Sequence, residues 1–311
     1  MENLVANTFI AGGPASGKTT LIKKLVNDLF QRPDVQIFVI NTHGEISHDN
    51  KENLYTHRVN PYVMYTDDTL VSECKDDLLM NKRDLLKNIH ELAAKKTFTP
   101  KQVSMLDMII TSLYSEKEVD LKYFKEKNAF SDEDIKELYA AAEIIFKMSI
   151  IYGGNKYFEN YNDDNKYIPY CYSVGESDIE SKIKELCLFD YIYERMAINH
   201  ANKKESYLFI DDVLDFINED ESTFNAISLL TKRCRLLNGH IIMTDSFDTK
   251  RMQLSRNSTY LYRLIGMCTD IYCLKTNDNI CDTLSCMSYD SKLLEKTKKL
   301  NIGDGETIRL R

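Results

Sequence analysis

Eight residues near the start of the chain carry the most chemistry for their length. Gly12, Gly13, Pro14, Ala15, Ser16, Gly17, Lys18 and Thr19 fit the pattern G-x-x-x-x-G-K-[ST]. In that pattern a glycine-rich turn lets successive backbone amides point at phosphate oxygens, and the following helix adds the positive end of its dipole. The lysine reaches the β- and γ-phosphates, and the threonine hydroxyl offers an oxygen to Mg²⁺. Thr20 places a second hydroxyl close to the α-phosphate. The same chemistry needs an acid at the end of a neighbouring apolar strand, and Tyr207-Leu208-Phe209-Ile210-Asp211-Asp212 supplies two. Asp211 then serves as the magnesium carboxylate and Asp212 polarises the attacking water. The competing reading makes the pair an N-cap of the next helix. A third constellation is Lys232-Arg233-Cys234-Arg235 before the turn Asn238-Gly239 and a strand. An arginine here either stabilises transition-state charge on a neighbouring subunit's γ-phosphate or complements its own helix dipole.

The elements that must position these groups are legible around them. Leu4 to Ala11 is a short apolar run, Lys18 to Phe30 has Leu21, Ile22, Leu25, Val26 and Leu29 at helical spacing, and Val35 to Ile40 is a second apolar run. This strand, helix, strand order opens an α/β domain. From about Asn50 the pattern turns to long helices. Thr99, Pro100 and Gln102 make a capping box with a first-turn proline, Ser131 opens another helix, and Ser177 with Glu180 heads a third. The Asn-, Asp-, Tyr- and Gly-rich stretch from Tyr152 to Tyr172 reads as a loop. Strand patterns return at Tyr207–Ile210, His240–Met243 and Asp270–Leu274, and Gly303-Asp304-Gly305 turns the tail into a last strand. The expectation is an α/β core with a mostly parallel sheet from residues 1–59 and 176–311, and an all-helical insertion subdomain over 60–175.

Composition narrows the function classes. Forty basic against forty-eight acidic side chains leave a net charge of −8, so any nucleic-acid contact has to be local. The stretch from Thr249, Lys250 and Arg251 to Arg256 is the candidate basic loop, with solvated surface charge as the simpler alternative. No run of eighteen apolar residues occurs, so no transmembrane segment is expected. Eight cysteines without a C-x-x-C pair point to a reducing compartment. The two C-x-x-x-x-C pairs, Cys268/Cys273 and Cys281/Cys286, read as small buried hydrophobes rather than as zinc ligands.

Beyond the phosphate loop and acidic strand, five features follow one another in a characteristic order. They are Ile40-Asn41-Thr42-His43-Gly44-Glu45 after the second strand, Val59-Asn60-Pro61-Tyr62, Phe98-Thr99-Pro100-Lys101-Gln102, Leu113-Tyr114, and Arg235-Leu236-Leu237-Asn238-Gly239 before a strand. Over nearly the whole chain this resembles the motor domain of type IV secretion and conjugative DNA transfer ATPases, in the FtsK/HerA superfamily of P-loop ATPases. The resemblance implies a RecA-like P-loop NTPase core and an ATP-hydrolysing homo-hexamer using Mg²⁺. It also implies Glu45 as an active-site acid, Arg235 as an arginine finger, and a cytoplasmic site at the inner face of a membrane complex. Secretion-channel or packaging components would be its partners, with DNA contacted through a ring pore. Three features depart from the family pattern. Asp212 stands where the family carries glutamate, Asn41 replaces an aspartate, and Asp245-Ser246 falls where Thr-Gln ends the fourth strand. The family's members also carry an N-terminal domain ahead of this motor. Two alternatives stay open: a viral genome-packaging ATPase of the same superfamily, and a weakly hydrolysing nucleotide-binding assembly scaffold.

Overall fold

A computed structural model describes residues 7–41, 46, 54–63, 72–116, 133–153, 156–162, 164–171, 178–217, 220–247, 255–301 and 307–310. The chain forms two compact units, one from the described parts of Met1–Asn53, Asp164–Val174 and Lys203–Arg311, the other from Leu54–Asp163 and Gly175–Asn202.

The first unit is built on a seven-stranded sheet. Its strands are β1 (Thr8–Ala11), β2 (Val35–Asn41), β3 (Tyr167–Cys171), β4 (Glu205–Asp211), β5 (Gly239–Asp245), β6 (Asp270–Cys273) and β7 (Ile308–Arg309), in the spatial order β3-β2-β4-β5-β1-β6-β7. Every pairing is parallel except β6 with β7. All seven residues of β2 are buried, the pattern of a strand covered on both faces. Helix α1 (Lys18–Phe30) lays Leu21, Ile22, Leu25, Val26 and Leu29 into a core with Ile37, Val39, Phe209 and Ile242. The expected last strand is β7; Gly303, Asp304 and Gly305, expected to turn the chain into it, lie outside the described residues.

One expectation fails here. The polar stretch read as a loop contains β3, which pairs with β2 from Ile37↔Tyr167 to Asn41↔Cys171. Pro169 hides it, because proline has no amide to donate and is confined to edge positions. β3 is such an edge.

The second unit is helical, with α2 (Ser72–Ala94), α3 (Pro100–Glu116), α4 (Glu133–Phe146) and α5 (Ile179–Ala201). The predicted capping box closes α3: the Thr99 amide donates to Gln102 Oε1 at 2.9 Å and the Gln102 amide to Thr99 Oγ1 at 3.3 Å. The cap of α5 is Asp178, whose side chain accepts from the Ser181 amide at 2.7 Å; Ser131 and Ser177 lie outside the described residues. The Asn60-Pro61-Tyr62 step is a turn in which Asn60 Oδ1 accepts the Tyr62 amide at 3.1 Å. Tyr62 then stacks on Phe146 at 4.9 Å and meets His90.

The unit's bounds differ from the expected 60–175 insertion. The described residues 164–171 group with the sheet unit, and α5 groups with the helices. A buried ion pair ties α5 to α2 within this unit. Lys82 of α2 is fully buried, and its ammonium reaches Asp190 Oδ2 and the Tyr157 hydroxyl, with Glu194 Oε1 at 3.3 Å. A buried lysine needs such partners, and both carboxylates come from α5.

Candidate nucleotide-binding site

The phosphate loop runs from the end of β1 into α1 and is pinned on both sides. Gly12 N–H donates to Asp245 O of β5 at 3.3 Å, and Gly13 N–H to Lys275 O beyond β6 at 2.9 Å. The Ser16 amide closes a turn on Gly13 O at 3.1 Å. Gly12 is required by close approach, since a β-carbon there would lie 2.4 Å from Ser16 Oγ and 3.1 Å from Leu274 Cβ. Gly17 is required by its backbone, with φ at 97°. It stands at the N-cap of α1 and, having no side chain, offers the first amides of the helix no cap. Such an end is built for an anion.

The functional groups of the loop are in place. Lys18 is buried, and its ammonium donates to the carbonyls of Gly12 at 3.0 Å and Gly13 at 3.3 Å. Ser16 Oγ is buried with no hydrogen-bond partner among the described residues, an orphaned donor that a phosphate oxygen would satisfy. Thr20 is exposed on α1.

Asp211 comes from β4, which lies not beside β1 but one strand beyond it, with β5 between. Side chains close the gap. Thr19 Oγ1 donates to Asp211 Oδ2 at 3.1 Å, and Thr244 Oγ1 of the intervening β5 donates to Asp211 Oδ1 at 2.6 Å. Thr19 and Asp211 thus bring two oxygens to one point, the donor set expected for a hard divalent cation. The amide of Leu214 in the following helix α6 (Val213–Ile217) is held by Asp245 Oδ2 at 3.0 Å. Asp212 is half-buried with φ at 50°; its amide donates to Thr244 Oγ1 at 3.1 Å, and its carbonyl accepts the Asp215 amide at 2.9 Å.

Asp245 ends β5 beside Ala11 of β1. It is buried, and its second oxygen accepts the Phe247 amide at 2.8 Å. Burial pushes its carboxyl up to about 7, against the pull of these two amides and of Lys18, and the charge of Asp212 adds to the rise. Asn41, in register with Asp211, is buried and donates to Ile46 O at 3.1 Å. The hydrogen bonds of Thr244 and Asp245 are what sequence reasoning misses; the resemblance marks Asp245 only as a departure from the family pattern, and Thr244 carries no signal beyond being a polar residue near the end of a strand.

The other predicted residues divide. Glu45, Gly44, Lys250 and Arg251 lie outside the described residues. Arg235 is exposed in the 3₁₀ turn Cys234–Leu237 and donates to Met267 O at 2.6 Å, at the end of α7 (Ser255–Met267). That turn precedes β5, whereas the phosphate loop follows β1, and the two strands are parallel. Arg235 therefore lies at the opposite edge of the sheet from its own loop. Asn238, in the left-handed region at φ 48°, turns the chain from Arg235 into β5. Cys268, Cys273 and Cys281 are buried and Cys286 is exposed.

No protein-family model and no curated protein matches the chain. Among solved structures it is similar to VirB4 of Thermoanaerobacter pseudethanolicus, at 14% identity over 98% of this chain and 88% of that one, with a TM-score of 0.65. It also aligns with the plasmid coupling protein TrwB in complex with ADP and Mg²⁺, at 13% identity over 98% of this chain and 77% of that one, with a TM-score of 0.49. The likeness to VirB4 establishes a shared fold: a RecA-like α/β P-loop core with a mostly parallel sheet.

Proposed function

We propose that this protein binds ATP with Mg²⁺ and hydrolyses it as the motor of a conjugative-transfer or type IV secretion apparatus. The observation that carries the reading is the meeting of Thr19 and Asp211 at 3.1 Å beside a phosphate loop whose lysine is already turned into it. Lys18, Ser16 and the first amides of α1 would hold the phosphates; Thr19 and Asp211 would hold the metal, which neutralises charge on the β- and γ-phosphates. Asp212 would orient the attacking water. The family resemblance read from the motif order agrees with the fold shared with VirB4 and supplies the transfer apparatus. Arg235 belongs to this reading only in trans: at the far edge of its own sheet it serves a neighbour's nucleotide in a ring, the homo-hexamer the resemblance implies. Among the described residues no helix is long and apolar enough to cross a membrane.

A second reading, an assembly scaffold with slow turnover, is favoured by Asp245. Its carboxyl is committed to the Leu214 and Phe247 amides, and Ser246 beside it stands where the resemblance expects a glutamine. Titration of a fluorescent ATP analogue into wild type and Lys18→Ala, with phosphate release followed alongside, tests both readings. Lys18→Ala is expected to weaken binding by about tenfold or more, since the lysine is the phosphates' main cation. Equal affinity of the two proteins refutes the site. Binding without release under any condition supports the scaffold.

A further inference from the structure

We propose that Thr244 is a positioning residue that sets both carboxylates of the site, Asp211 through its side chain and Asp212 through its backbone. The inference rests on the nucleotide reading above and adds to it the group that orients the metal ligand.

Thr244 is fully buried in β5, the strand that separates the acidic strand from the loop strand. A buried hydroxyl in a strand would ordinarily satisfy itself on nearby backbone. This one bridges two groups of the neighbouring strand's end instead. It gives its only proton to Asp211 Oδ1 at 2.6 Å and accepts the Asp212 amide at 3.1 Å. The first bond decides which Asp211 oxygen faces the loop: with Oδ1 taken, Oδ2 is the one left at Thr19. The second bond holds Asp212 at φ 50°, a backbone region that costs a residue with a side chain on the order of 1 kcal/mol or more and persists only where the surroundings impose it. The amides of Asp215 and Phe216 on the Asp212 carbonyl complete that hold. Threonine suits the task because its branched β-carbon restricts χ1, so the hydroxyl is aimed before any ligand arrives.

Groups that hydrogen-bond a metal ligand typically change metal affinity by about 10- to 100-fold when removed. The test measures the affinity of a fluorescent ADP with Mg²⁺ and with EDTA, in wild type, Thr244→Val and Thr244→Ser. Valine keeps the shape and loses both bonds; serine keeps the hydroxyl. Expected is a wild-type gain on adding Mg²⁺ that falls by about tenfold or more in Thr244→Val, is restored in Thr244→Ser, and leaves affinity in EDTA unchanged. A Thr244→Val protein with the full Mg²⁺ gain overturns the proposal, and so does an equal loss with and without Mg²⁺, which marks a merely structural residue. Thr244→Ala serves the same comparison if the valine variant does not fold. Failure of wild type to bind in EDTA or in Mg²⁺ overturns the nucleotide reading itself, a result distinct from either of these.

Discussion

Asp245 sets burial against hydrogen bonding within one side chain, and its replacement by asparagine measures the balance. The carboxyl is 3% exposed and receives two backbone amides at 2.8 and 3.0 Å. Burial still raises it from 3.8 to about 7. Roughly three units at about 1.4 kcal/mol each mean that ionising it costs the fold about 4 kcal/mol. Between the two values the folded chain holds the proton and the unfolded chain does not. The stabilisation is therefore complete below the unfolded value and is lost as pH rises to about 7. Asp245→Asn cannot ionise, but one of the two amides then faces an NH₂ group, at a cost of about 1–3 kcal/mol. The variant is expected to be less stable than wild type by about that amount near pH 4. Near pH 8, where wild type carries the buried charge, it becomes more stable by about 1–3 kcal/mol. Urea denaturation across this range, without nucleotide and with a probe in the sheet unit, gives the difference curve. A swing of about 4 kcal/mol is the signature; a difference that does not change with pH refutes the reasoning.

Two further predictions concern the helical unit. Lys82→Met leaves Asp190 and Glu194 buried without their cation and is expected to cost about 3–5 kcal/mol, read as a fall in the unit's melting temperature; adding Asp190→Asn and Glu194→Gln should recover most of it. His90 is fully buried, with Nδ1 against Leu86 O at 2.6 Å and Nε2 against the Tyr62 hydroxyl at 3.2 Å, and burial lowers it from 6.5 to about 4. The neutral ring's contribution is complete above the unfolded value and about 3 kcal/mol of it is lost as pH falls to about 4. An NMR titration of the His90 ring near its ordinary value would contradict this.

Much of the site is written locally. The curl of Gly12 to Thr19 depends on residues that tolerate close approach and a positive φ, and these are neighbours in the chain. The Thr99-Gln102 cap is likewise a contact between residues three apart. Arg235 and the Asn238-Gly239 turn are visible for the same reason, although only the parallel register of β1 and β5 shows that this turn lies across the sheet from its own phosphate loop. β3 escapes notice because an edge strand needs neither an apolar run nor every amide, so Pro169 and its polar flanks look like loop.

The sequence by itself determined that a glycine-rich turn between strand and helix opens an α/β core and that an acidic strand follows a long helical stretch. Those features rest on hydrogen bonds and apolar spacing within single elements. Which strand stands between β1 and β4, and so that Thr244 sits on Asp211 while Asp245 takes the helix cap, was decided by the tertiary structure alone. Strand order depends on pairing between segments far apart in the chain, and no local pattern records it. The same holds for Lys82 and α5: a buried charge is tolerable only beside its partners, and these come into reach only when the helices pack.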